Sequence, residues 1–132
     1  MIRKIYLSLV AIFLFSFLNA QETTVYTEAD KAFKHGEELI ANGLFAKAQK
    51  EFETSINLLR PVNESANQQL LAKAEFLHAK CSVLLNSPDG EKLMLDFINK
   101  HAPDPISNDA LIELANFYFN AKKYDKAIEY YG

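Results

Sequence analysis

Three stretches of this chain set side chains of similar size at the same spacings, and internal repetition of that kind restricts a fold more than composition does. Counting from Gly36, His78 and Ala115, three residues on come Leu39, Cys81 and Tyr118, and nine on come Phe45, Ser87 and Tyr124. Twelve on come Ala48, Gly90 and Ala127, all small, and sixteen on come Phe52, Met94 and Tyr131, all large. Pro61 and Pro103 each stand 25 residues after their start. Small residues let two antiparallel helices approach closely, and large ones fill the space beside them. The starts lie 42 and 37 residues apart, which implies a lengthened first connection or helix.

The period inside each stretch is helical. Phe45, Ala48, Phe52, Ile56 and Leu59 step by three and four, as do Leu70, Ala74, Leu77, Cys81 and Leu84. These are the one-sided stripes of amphipathic helices, and no segment alternates with period two. Asn42-Gly43, Arg60-Pro61 and Ala102-Pro103-Asp104-Pro105 read as breaks. Thr27, Asn63, Ser87 (before a first-turn Pro88) and Ser107 are expected to cap helix starts. The spacing predicts six helices, at about 27–41, 45–60, 64–86, 89–101, 107–121 and 124 to the end.

The first twenty residues read differently. Arg3 and Lys4 precede an uncharged apolar run from Ile5 to Leu18, and Ala20 stands at its exit before a polar stretch. That is the layout of a secretory signal peptide at 1–20, followed by a short polar lead at 21–26. The apolar run is shorter than the roughly 20 residues a membrane span needs. Once the leader is removed no stable span is expected; retention as a signal anchor is the rival. Lacking a cysteine after the run, the chain does not fit a lipoprotein. Without 1–20 the charge is −5, from twelve Lys+Arg against seventeen Asp+Glu. That acidity disfavours nucleic acid, whose proteins carry clustered basic faces, and anionic lipid. One cysteine excludes an internal disulfide.

GLFAKAQKEFETSI at 43–56 and KKYDKAIEYY at 122–131 both carry an aromatic, small, large order. With the helix–turn–helix repetition, this resembles the tetratricopeptide repeat, a unit of about 34 residues from which the spacings of 42 and 37, and His78 and Ser87 in the middle unit, depart. FLHAKCSVLLNSPDGEKLMLDFINKHAPD and ALIELANFYFNAKKYDKAIEYY are similar to exported tetratricopeptide proteins of Bacteroidetes-type bacteria. The likeness spans about 28–132 and implies an all-α, tetratricopeptide-like α-solenoid of about three units, at 27–61, 64–103 and 107–132. The last unit is read as incomplete, with Tyr124, Ile128 and Tyr131 wanting a neighbour. This leads to two expectations: a longer array, or self-association through that open end.

Candidate chemistry is sparse. His35, His78 and His101 lack partners at metal-ligand spacing, so no metal or cofactor is expected. Glu37-Glu38 and Glu51/Glu53 read as solvated helix faces. Cys81 lies on an apolar stripe and reads as a small buried hydrophobe. Phe117, Tyr118 and Phe119 cannot all face one way on a helix, so at least one is expected outside the core. No catalytic set emerges, and a non-enzyme is expected.

In the resembled family the first helix of each unit lines a groove for partner segments. The resemblance maps that groove onto Phe33, Glu37 and Ile40, then Glu75, Ala79 and Ser82, then Ile112, Asn116, Phe119 and Asn120. Asp30, Glu37, Glu75, Asp109 and Glu113 would make it acidic, favouring a basic or mixed polar–apolar protein or peptide partner over a carboxylate. The expectation is a scaffold in the periplasm or at the outer membrane, serving envelope assembly. Its rivals are a carbohydrate-uptake binding protein, and the repeat region of a larger protein with another activity downstream.

Overall fold

The computed structural model describes residues 24–62 and 65–132, and within them all regular structure is helical. The helices are α1 (24–41), α2 (Phe45–Leu59), α3 (Ser65–Leu84), α4 (Gly90–His101), α5 (Pro105–Asn120) and α6 (Tyr124–Tyr131). Each bound falls within one turn of its sequence expectation. The expected signal peptide and the expected cap Asn63 lie outside the described residues. None of the described helices is long and apolar enough to cross a membrane.

Three expectations about helix starts change. α1 is already helical at residue 24, so Thr27 is interior and residues 24–26 of the short polar lead are helical. The cause is the buried stripe, which begins at partly buried Val25 and continues one turn later at Ala29. α4 begins at Gly90 behind Asp89, leaving Pro88 in the preceding turn. α5 begins at Pro105, whose fixed φ suits a first helical position and whose missing N–H costs nothing there. Ser107 therefore sits inside the first turn, and its Oγ donates to the Asp104 carbonyl at 2.7 Å.

The helices pair through one recurring turn. After α1, Gly43 N donates to Ile40 O and Leu44 N to Leu39 O. After α3, Asn86 N donates to Val83 O and Ser87 N to Ser82 O. After α5, Lys122 N donates to Phe119 O and Lys123 N to Tyr118 O. This is the Schellman arrangement that satisfies the last carbonyls of a helix, with its pivot in the left-handed region. Gly43, Asn86 and Lys122 have φ of 71°, 52° and 59°. The described residues thus form a helical repeat of three hairpins, α1–α2, α3–α4 and α5–α6.

The turns correct the register of the middle hairpin. They make Ser82, not Cys81, the counterpart of Leu39 and Tyr118. Ala79 then matches Gly36 and Ala115, all three buried, and His78 is not the small packing position. At the next helix Ala48, Gly90 and Ala127 are all buried, as their shared small size implies. Gly90 lies so close to α3 that a Cβ there would stand 2.7 Å from the Ser82 carbonyl oxygen. At Gly36 a Cβ would meet the Phe52 ring at 2.6 Å.

α3 packs against α2, α4 and α5 and is the centre of the fold. Its Leu70, Leu71, Ala74 and Cys81 join Phe33, Phe52, Ile56 and Leu59 in one core cluster. Its Ala79 and Val83 join Met94, Phe97, Leu114 and Tyr118 in a second. Burial pushes the Cys81 thiol up to about 11, which keeps it protonated as an apolar filler.

Candidate functional site

The residues expected to form one groove fall into two environments. On α5, Ile112, Asn116, Phe119 and Asn120 are all exposed, Ile112 by 52% and Phe119 by 54%. α6 extends this row: Tyr124 meets Phe119 edge-on at 5.6 Å between ring centres, and the Tyr131 hydroxyl donates to Asn116 Oδ1. Ile128 adds the most exposed large apolar side chain among the described residues, at 69%. Of the three neighbouring aromatics, Tyr118 is buried and Phe119 is the one turned outward.

On α1, Glu37 is exposed and Ile40 partly buried, but Phe33 is core and packs on Phe52 at 5.7 Å. On α3 the expectation fails by one residue. Ala79 is only 3% exposed. Glu75 turns toward α4, where it accepts from Lys100 Nζ at 2.7 and 2.8 Å and meets His101 Nε2 at 3.1 Å. Ser82 is buried and accepts from Gln49 Nε2 at 2.6 Å. One residue on a helix is about 100° of rotation, so the misread register moved the whole α3 set off the face. The turn-matched residues are Phe76, Lys80 and Val83, with Lys73 one turn earlier; Val83 is buried, and Lys80 pairs with Glu113 of α5 at 2.8 Å. The acidic lining accordingly loses Glu75, gains two lysines, and has Asp30 paired to Lys34 at 2.6 Å.

Two features had no sequence signal. One joins α4 to α6: Glu91 accepts from Lys126 Nζ at 2.7 and 2.9 Å and from the Tyr130 hydroxyl. Lys126 lies over the Tyr118 ring at 4.7 Å, and Tyr118 stacks on Tyr130 at 5.9 Å. The Lys126 and Tyr130 hydrogen bonds hold the Glu91 carboxyl down at about 2. Burial and the Glu91 bond push the Tyr130 phenol up. The other is a cleft of about 330 Å³ between α2 and α4, floored by α3, and it is this cleft that receives Glu75 and Ala79. Both are assembled from residues far apart in the chain, so no local spacing marks them.

Among the described residues no group of three or more His, Cys, Asp or Glu gathers at metal-binding geometry. Comparison of the chain with protein-family models, with curated proteins and with solved structures finds no match.

Proposed function

We propose that this chain is an exported tetratricopeptide-type scaffold that holds segments of other envelope proteins, without catalysing a reaction. The observation that carries the reading is the exposed row of Ile112, Asn116 and Phe119 on α5, continued by Tyr124 and Tyr131 on α6. Aromatic and aliphatic anchors interleaved with amide groups suit a peptide backbone with apolar side chains, and such anchors dominate interface energies. The three matched turns and the small residues at Gly36, Ala79 and Ala115 support the family resemblance. Lys73 and Lys80 on α3, the latter paired with Glu113, together with exposed Glu37 and Asp109, favour a mixed polar–apolar segment over a purely basic one.

The test is selection of displayed random peptides on the purified full chain, followed by fluorescence anisotropy with the selected peptides. Phe119→Ala and Ile112→Ala are expected to weaken binding by about 30-fold, the equivalent of about 2 kcal/mol for an interface anchor. Glu38→Ala, on an exposed face away from the row, is expected to leave it unchanged. Failure to select any saturable peptide, together with saturable binding of a glucan oligosaccharide, would replace the scaffold reading with a carbohydrate-binding one.

A further inference from the structure

The α2–α3–α4 cleft is a second concave surface, built from residues the α5 row does not use. Its floor is apolar: Ile56 from α2, Ala79 from α3, and Leu93 and Phe97 from α4. Its volume of about 330 Å³ lies at the lower end for a ligand pocket and suits a side chain better than a cofactor.

Charge is not spread evenly along the cleft. Gln49, one turn into α2, and Gly90, at the start of α4, both meet Ser82, so the two helices pass α3 at a common level there. At 1.5 Å per residue, Glu53 is about 6 Å and Asp96 about 9 Å beyond that level, so the two carboxylates flank the same stretch. Both line the cleft, and neither forms an ion pair among the described residues. Lys100 and Arg60 come in about 15 and 16 Å along, at the far end. Lys100 is neutralised by two hydrogen bonds to Glu75, so Arg60 is the cation at that end without an ion pair among the described residues. His78 also lines the cleft; burial lowers its proton affinity and favours the neutral ring against the pull of Glu53, Asp89 and Glu75. The middle of the cleft therefore holds two uncompensated carboxylates over an apolar floor.

We propose that this cleft takes an arginine side chain of a partner segment, its aliphatic stem on Ile56, Leu93 and Phe97 and its guanidinium between Glu53 and Asp96. A guanidinium presents five N–H donors in a planar fork that matches carboxylates, and its stem covers apolar surface. Arg60 disfavours a second basic residue toward the C-terminal ends of α2 and α4, so the cleft selects an isolated arginine and rejects a basic run. The site stands apart from the α5 row, and its test does not depend on the scaffold reading.

The test is a titration of the ¹⁵N-labelled full chain with N-acetyl-arginine amide, followed by amide chemical shifts, with N-acetyl-glutamate amide as the control probe. Saturable shifts confined to Glu53, His78, Asp96, Phe97 and their neighbours are expected with the arginine probe alone. Glu53→Gln combined with Asp96→Asn is expected to weaken binding at least 10-fold. Each single variant is expected to be intermediate, with an undisturbed spectrum elsewhere, because both side chains are exposed. Equal responses to the two probes, absence of saturation, or full binding by the double variant would overturn the proposal.

Discussion

Ala48, Gly90 and Ala127 show how single side chains set the spacing of a hairpin. Each lies where one helix crosses its partner most closely, and the room is already used: Ala48 has no exposure and a methyl at Gly90 would press on backbone. Backbone cannot rotate away as a side-chain tip can, so Gly90→Ala is expected to cost about 1–3 kcal/mol. Ala48→Arg and Ala127→Arg add volume and a buried charge, and each is expected to cost about 3 kcal/mol or more. Glu38→Arg on an exposed face should cost almost nothing. Urea melts of the four variants check this, and equal midpoints would contradict the packing. Glu91 supplies a pH-dependent counterpart. Its carboxyl is held at about 2 by Lys126 and Tyr130, below its ordinary value of 4.5. A lowered folded-state value means stability that is present above pH 4.5 and is lost as pH falls through 2. The pair is partly exposed, so screening limits the effect to about 1 kcal/mol or less. Glu91→Gln is expected to be less stable than the parent at pH 7, and the two melting curves should converge as pH approaches 2.

The number, order and approximate ends of the helices were legible because each break is written in local chemistry, such as Asn42-Gly43 or the prolines at 103 and 105. The phase of α3 was not. A surface helix betrays its orientation by one apolar stripe, but α3 is packed on by α2, α4 and α5 and carries apolar residues on several sides. Matching by side-chain size then equated Cys81 with Leu39, one residue short of Ser82, and three groove residues were misplaced with it. The missing cue was the turn itself. Gly43 announces a left-handed pivot, whereas Asn86 and Lys122 occupy the same conformation with ordinary side chains. Asn tolerates that region and Lys does not, at a cost of roughly 1 kcal/mol. Lys122→Gly is accordingly expected to stabilise the α5–α6 hairpin by about 1 kcal/mol, raising the melting temperature by about 4 °C. Gly43→Ala should lower it by a similar amount, and calorimetry of both variants tests whether the three turns are one device.

Across the whole molecule, successive hairpins dock by a repeated contact. Gln49 of α2 donates to Ser82 of α3, and Glu91 of α4 lies near Tyr118 of α5, which helps to hold its carboxyl down. Ser82 and Tyr118 are the same position in their turns, and Ile128 of α6 corresponds to Gln49 and Glu91 when Ala48, Gly90 and Ala127 are aligned. Phe52 and Met94, three residues further on in the sequence, are fully buried, whereas their counterpart Tyr131 is 53% exposed. Ile128, Tyr124, Phe119 and Ile112 are likewise exposed on α5 and α6, with Phe119 against Tyr124 and Asn116 between Ile112 and Phe119 along α5. Exposed apolar patches mark association surfaces, since removing each such side chain from water is worth roughly 1.5–3 kcal/mol. Copies of this chain are therefore expected to associate through it at high concentration, seen as a rising weight-average mass in sedimentation equilibrium. Phe119→Glu with Ile128→Glu should abolish that rise, since the repelling charges would face each other across the contact. The same pair should leave the melting midpoint of the dilute protein nearly unchanged, because neither side chain is buried in a single copy. A constant mass across concentrations in the parent chain would mean that this face serves partner segments alone.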